Sequence, residues 1–295
     1  DAANQKWEQA KTDANAALTQ AQNVYDNAGR SFMDSKARSG CKSSDVLNFI
    51  KNDQDKVVID SSGKTEDKTM CSLYETNHIE IDKDIDSVYA IDNLKKELNF
   101  VDECNRLRNQ EGLITPLTFN YNLMALSAYS TAISKHTSYH SLFMDPTVYK
   151  SISGCENLAW GVEDPFKAWY DQEKPYYQED PDSNQAGHYR NIIDRDNKTI
   201  VVTYINDGKA SGMLTSSNES EVGVSTDQVR NDLAAYVSSA ENNLTKAKEQ
   251  ADNLDTAPEE VNQAQSAVNE KQKALDEAKK AVSDIQEQID AAQSA

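Results

Sequence analysis

The sequence has no apolar run near the ~20 residues that a helix needs to cross a bilayer. It has no strongly basic segment either: 30 Lys and Arg stand against 49 Asp and Glu, a formal charge of −19. That balance argues against nucleic acid as a partner, because binding it requires phosphates to be neutralised by cations. The four cysteines, Cys41, Cys71, Cys104 and Cys155, lack the CxxC spacing of a zinc ribbon or a redox site. There is no HExxH helix, no serine in a nucleophile elbow and no cysteine with a plausible base, so covalent catalysis is not indicated. Hydrophobic residues make up 38 %, low for one compact globule of this length. Their uneven placement predicts a compact middle between elongated ends. With neither an initiator Met nor a signal peptide before Asp1, the chain is expected to be a mature or excised fragment.

An even cysteine count permits three pairings. The expected one is Cys41–Cys71 with Cys104–Cys155, the first stapling a polar stretch that builds little core. Such a loop closure contributes roughly 3–4 kcal/mol in the chain-entropy picture. Four buried thiols are the alternative. Paired cysteines imply an extracellular protein.

Both ends read as amphipathic helix. Over residues 1–37, Trp7, Lys11, Ala14, Leu18, Ala21, Tyr25, Ala28 and Phe32 alternate steps of four and three, a coiled-coil seam. Over 226–295 one seam is Leu233, Val237, Ala240, Leu244, Ala247, Ala251 and Leu254. Another is Val261, Ala264, Val268, Lys271, Leu275, Ala278, Val282, Ile285 and Ile289. Thr256 as N-cap and Pro258 in a first turn predict a second helix after a turn, hence a hairpin or a kinked coiled coil. Dimerisation through these helices and an intramolecular antiparallel bundle fit the heptads equally well. Residues 38–85 read as a polar, poorly helical insertion held by a disulfide, with His78 a surface histidine.

Residues 86–225 read as the globular part. Leu94, Leu98, Val101 and Leu107 mark one helix, and Leu123, Leu126, Ala128 and Ala132 a second. Pro165–Glu173 marks a third. Thr199–Ile205 reads as a strand, with Glu221–Val224 a second candidate. Helices followed by strands predict an α+β domain or an α/β/α sandwich. Four histidines occur in the whole chain, and two of them lie beside distinctive phrases here. The phrases are His140-Ser141, Cys155-Glu156-Asn157-Leu158-Ala159-Trp160-Gly161, Trp169-Tyr170-Asp171-Gln172-Glu173 and Gly187-His188-Tyr189. Imidazole with carboxylate can hold a divalent cation or move a proton. His136 competes with His140 as the first histidine.

These phrases, with Asn105-Arg106-Leu107-Arg108, Gly112-Leu113 and Pro116-Leu117 ahead of them, resemble the CAP superfamily over about residues 95–225. The resemblance implies a CAP α/β/α sandwich head flanked by long coiled-coil helices. It further implies one cleft holding His140, His188, Glu156 and Glu173. The two imidazoles would be the ligands of zinc or another divalent cation, with Glu156 and Glu173 as candidate catalytic carboxylates. Trp160, Trp169 and Tyr189 would line the cleft for a peptide, glycan or lipid. Two departures bear on the site. Cys155 replaces the usual glycine, and Gln172 stands where the family has its second glutamate, three residues after the tryptophan. Glu173 lies one residue later, ~100° away on an α-helix. With its coiled-coil flanks the chain resembles Gram-positive wall-anchored surface exclusion proteins. The implied function is extracellular surface recognition, adhesion or surface exclusion. A metal-dependent peptidase and a lipid or sterol binder are the alternatives.

Overall fold

The computed structural model describes residues 2–53, 56–59, 65–137, 140, 154–218, 223–255 and 259–293. In chain order these form α1 (Ala2–Asp26), α2 (Ala28–Lys36), α3 (Ser43–Asn52), β1 (Lys56–Ile59), β2 (Thr65–Thr69), α4 (Met70–Val88), α5 (Ile91–Gln110), β3 (Thr118–Phe119) and α6 (Tyr121–Thr137). There follow β4 (Glu156–Trp160), a π-helical turn (Lys167–Asp171), α7 (Lys174–Glu179), α8 (Gly187–Ile193), β5 (Thr199–Ile205), β6 (Ala210–Ser216), α9 (Thr226–Leu254) and α10 (Glu259–Gln293). The chain divides into two units, residues 1–24 with 240–295, and residues 25–239.

In the first unit, the start of α1 meets the end of α9: the Trp7 indole N–H donates to the Leu254 carbonyl at 3.2 Å, and Lys11 pairs with Asp255 at 3.3 Å. Further along, Ala17, Ala21 and Val24 border the same 310 Å³ cavity as Asn243, Ala247 and Gln250. Rising numbers on one helix against falling numbers on the other make the pairing antiparallel. Ala240, Leu244, Ala247 and Ala251 are buried along this seam, as the heptad reading expects. Val268, Leu275 and Val282 of α10 are exposed at seven-residue spacing. Ile285, Ile289 and the turn residues Thr256 and Pro258 fall outside what is described of the side chains.

The second unit is built on a four-stranded sheet in the order β3-β5-β6-β4, with β3 parallel to β5 and the other pairs antiparallel. Every residue of β5 and β6 is buried, which a strand covered on both faces requires. Alternation along β5 separates the two layers. The Thr203 hydroxyl meets Ser127 and Thr131 of α6, whereas the Tyr204 ring meets Phe100 of α5. The sheet therefore lies between α6 and α5, consistent with the sandwich predicted from the helix and strand order. β3 is only two residues long and covers β5 only at Thr199 and Ile200. Farther along this edge, side chains of α5 do what a longer strand would. Glu97 accepts the Tyr204 N–H at 2.8 Å, and Asn93 bridges the Tyr204 carbonyl and Asn206.

Glu97 is 1 % exposed, and its second carboxylate oxygen lacks a partner. Burial pushes its carboxyl well above the ordinary range, against the opposing bond from Tyr204. A folded value raised above the unfolded one means stability that is complete below the unfolded value and lost as pH rises toward the folded one. Wild type should therefore lose more stability than Glu97→Gln as pH rises from about 4 to about 7. Urea midpoints of both proteins across that range test this, and parallel curves would refute it.

Several sequence expectations are corrected. Residues 38–85 are not poorly helical: α3 and α4 occupy much of the segment and bury Val46, Ile50, Leu73 and Tyr74. Such a segment draws its stability from apolar burial and needs no staple. No disulfide occurs among the described residues, which include all four cysteines, so neither Cys41–Cys71 nor Cys104–Cys155 forms. Cys104 instead fills the core as a small hydrophobe, and burial pushes its thiol up to about 12, far from the thiolate that disulfide chemistry needs. Unfolded, unreduced protein should thus titrate four thiols with a chromogenic disulfide reagent, and fewer would restore a bridge. Of the expected strand at Glu221–Val224, Glu221 and Val222 lie outside the described residues, and Val224 makes a single bridge to Phe119. The partner of β5 is β6, whose Ala-Ser-Gly-Met-Leu-Thr-Ser composition carries little β-branching to announce it.

Candidate functional site

β4 opens with Glu156 and Asn157, and as neighbours in a strand they face opposite ways. Glu156 turns toward α6, where Ser130 donates to one carboxylate oxygen and His140 Nδ1 lies 2.7 Å from the other. The Glu156 side chain is 2 % exposed and the His140 ring 42 %, so a buried carboxylate anchors a solvent-facing imidazole. Asn157 turns toward α8, donating to the His188 carbonyl at 3.1 Å and accepting from Asn191 at 2.7 Å. The backbone of α8 is thereby fixed to β4.

His188 itself is held by Glu173, whose carboxylate lies 2.5 Å from Nδ1 and also accepts the Tyr189 N–H at 3.0 Å. An ideal α-helix running from Trp169 would turn Glu173 away. The segment instead makes a π turn over Lys167–Asp171, in which the Gln172 N–H reaches back five residues to the Lys167 carbonyl at 3.1 Å. A π turn takes up one extra residue. It therefore brings Glu173, not Gln172, to the histidine. Trp169 anchors the turn: it is 1 % exposed, its indole N–H donates to the Leu158 carbonyl at 3.0 Å, and its ring packs on Phe166 and His188.

A cleft of 720 Å³ opens beside this pair, lined by Trp160, Trp169, Tyr176, Gln185, Glu173 and His188 among others. Trp160 and Tyr176 are 42 % and 45 % exposed. Tyr189 is buried instead, its ring tilted against those of Tyr170 and Tyr177, and serves the packing of α8. His140 and Glu156 do not line this cleft among its described residues. His136, the competing first histidine, bonds Asp84 at 2.7 Å beside Lys135 and belongs to the contact between α6 and α4. His78 is exposed on α4. Ser130, Asn157 and Asn191 hold the site in place and carried no assignment in the sequence; Asn157 stands within the Glu-Asn-Leu phrase, but Ser130 has no local signal.

Both site histidines turn Nδ1 toward a carboxylate. A proton on Nδ1 donates there and leaves the lone pair on Nε2, the arrangement that orients imidazole for a metal or a polar ligand. Among the described residues no group of three or more His, Cys, Asp and Glu is placed to hold a metal ion.

The order of elements from α5 to β6, with these phrases between them, can be set against known families. Residues 101–217 match the CAP family, the cysteine-rich secretory protein family. His140, Glu156, Glu173 and His188 all fall within the matched segment. The match begins inside α5 and ends just past β6, so it takes in the whole four-stranded sheet and the π turn. No curated protein and no solved structure matches the chain. No helix among the described residues is long and apolar enough to cross a membrane.

Proposed function

We propose that this CAP-domain chain works outside the cell, recognising a surface partner through the Glu173–His188 cleft in adhesion or surface exclusion. The observation that carries this is the cleft: exposed aromatic walls beside a half-buried histidine held by Glu173 through its ring and by Asn157 through its backbone. Rigid side chains with outward aromatic surface suit recognition, because little ordering entropy opposes binding. The secretory family of the matched domain supports an extracellular location. The coiled-coil helices around the domain resemble Gram-positive surface exclusion proteins such as enterococcal PrgA, in which a CAP domain is carried on such helices. The test is binding of fluorescently labelled protein to intact Gram-positive cells. His188→Ala and Trp160→Ala should each weaken binding several-fold while leaving the melting temperature near wild type. Undiminished binding by both variants would reject the cleft as the recognition surface.

A second reading, a metal-dependent peptidase, is favoured by two imidazoles that each hold Nδ1 against a carboxylate, the arrangement common to metal-ligating histidines. Calorimetric titration of Zn²⁺ into chelator-treated protein tests it. One site lost in both His140→Ala and His188→Ala would support this reading, and no binding by wild type would remove it.

A further inference from the structure

The chemistry of the cleft narrows what it can hold, given that it is the recognition surface. Its volume of 720 Å³ lies in the range of small-ligand sites, roughly 300–1,000 Å³. Two of its lining residues, Trp160 and Tyr176, are among the few large aromatic side chains that the described surface leaves open. Exposed rings cost solubility and gain nothing for the core, so their meeting in one cleft needs a reason.

None of the described residues lining the cleft is Lys or Arg, whereas Asp171 and Glu173 are among them. An anionic ligand such as a phosphate or a lipid headgroup would find no cationic partner other than a protonated His188. A cationic ligand fares little better. Both oxygens of Glu173 are already engaged by His188 and the Tyr189 N–H, which leaves Asp171, itself within the field of Arg106, as the remaining carboxylate among the described lining residues. A purely apolar ligand, such as an acyl chain, would strip water from the Gln172 and Gln185 amides without replacing their hydrogen bonds, which costs free energy. These two exposed side chains make no hydrogen bond within the described structure, and neither does the Trp160 indole N–H.

What remains is a ligand with flat C–H faces and a rim of uncharged donors and acceptors. A sugar ring has this form. Its polarised C–H face meets the negative face of an aromatic ring, and its hydroxyls match amides that both give and take hydrogen bonds and carboxylates that accept them. We infer that the cleft binds a neutral oligosaccharide, stacked on Trp160 and Tyr176 and hydrogen-bonded by Gln172, Gln185 and Asp171. His188, which also lines the cleft, adds one more polar contact.

The experiment is calorimetric titration of the full chain with two uncharged probes, the tetrasaccharide of N-acetylglucosamine and maltotetraose, followed by the emission of its three tryptophans. At least one probe should bind and shift the emission, and Trp160→Ala should weaken it about tenfold or more, the loss typical of a truncated aromatic anchor. Gln185→Ala should weaken it by a smaller factor. Neither Trp160 nor Gln185 is buried, so both variants should fold. Failure of both probes at millimolar concentration, or binding unchanged in Trp160→Ala, would overturn the inference. The recognition reading is judged apart, by the cell-binding assay: if Trp160→Ala loses cell binding while neither sugar binds, the cleft remains the recognition surface for another ligand. If cell binding is also unchanged, both fall.

Discussion

Trp169→Ala should destabilise the unit of residues 25–239 by about 3–5 kcal/mol, the usual cost of truncating a buried tryptophan. For a unit of this size that is a fall in melting temperature of roughly 6–20 °C. The side chain is 1 % exposed, fills the space between Phe166 and His188, and satisfies the Leu158 carbonyl. Its removal leaves a cavity and an unpaired carbonyl together. Trp169→Phe separates the two losses: it keeps most of the packing and forfeits only the hydrogen bond, at about 1–3 kcal/mol. Calorimetric melting of the two variants tests the ranking. If both melted within a degree or two of wild type, the indole would not be the anchor described.

The next largest effect should come from a single methyl group at Gly212. A Cβ at this position would lie 1.9 Å from the Thr131 hydroxyl oxygen and 3.1 Å from that of Thr203. The absence of a side chain on β6 lets α6 approach the sheet closely enough for Ser127, Thr131 and Thr203 to share hydrogen bonds. Gly212→Ala is expected to cost about 1–3 kcal/mol by overpacking. Thr131→Ala removes the clashing oxygen, so the double variant should be less destabilised than the sum of the two singles. Additive losses in denaturant titrations would mean that the strain is relieved elsewhere.

Legibility in the sequence followed the kind of signal each element carries. The seam positions Ala240, Leu244, Ala247 and Ala251 were readable because period alone determines a helix face, and all four are buried. Thr199–Ile205 was readable because a β-branched run has few other uses. β6 and β4 were not, since Ser-Gly-Met-Leu-Thr owes its strand conformation to the neighbours on either side and not to its own preferences. The segment 38–85 was misread because its polar surface residues outnumber the few apolar ones that α3 and α4 bury. At the site, residue identities were legible and their grouping was not. Glu156 and His140 form one pair and Glu173 and His188 another, and the alternation of a strand, not the spacing of motifs, sets which residue faces which helix.

The π turn has a consequence for how such chains can change length. A helix that carries an essential carboxylate ordinarily tolerates no insertion, since one added residue swings everything after it to another side. Here the added residue is stored as a bulge, so the carboxylate keeps its place while the count from Trp169 to Glu173 grows by one. Insertion and deletion in this segment thus become nearly silent events for the histidine beyond it. A variant lacking Gln172 would have its glutamate three residues after the tryptophan on a plain α turn, in reach of the same imidazole. Motif spacing can drift in this segment without loss of the site.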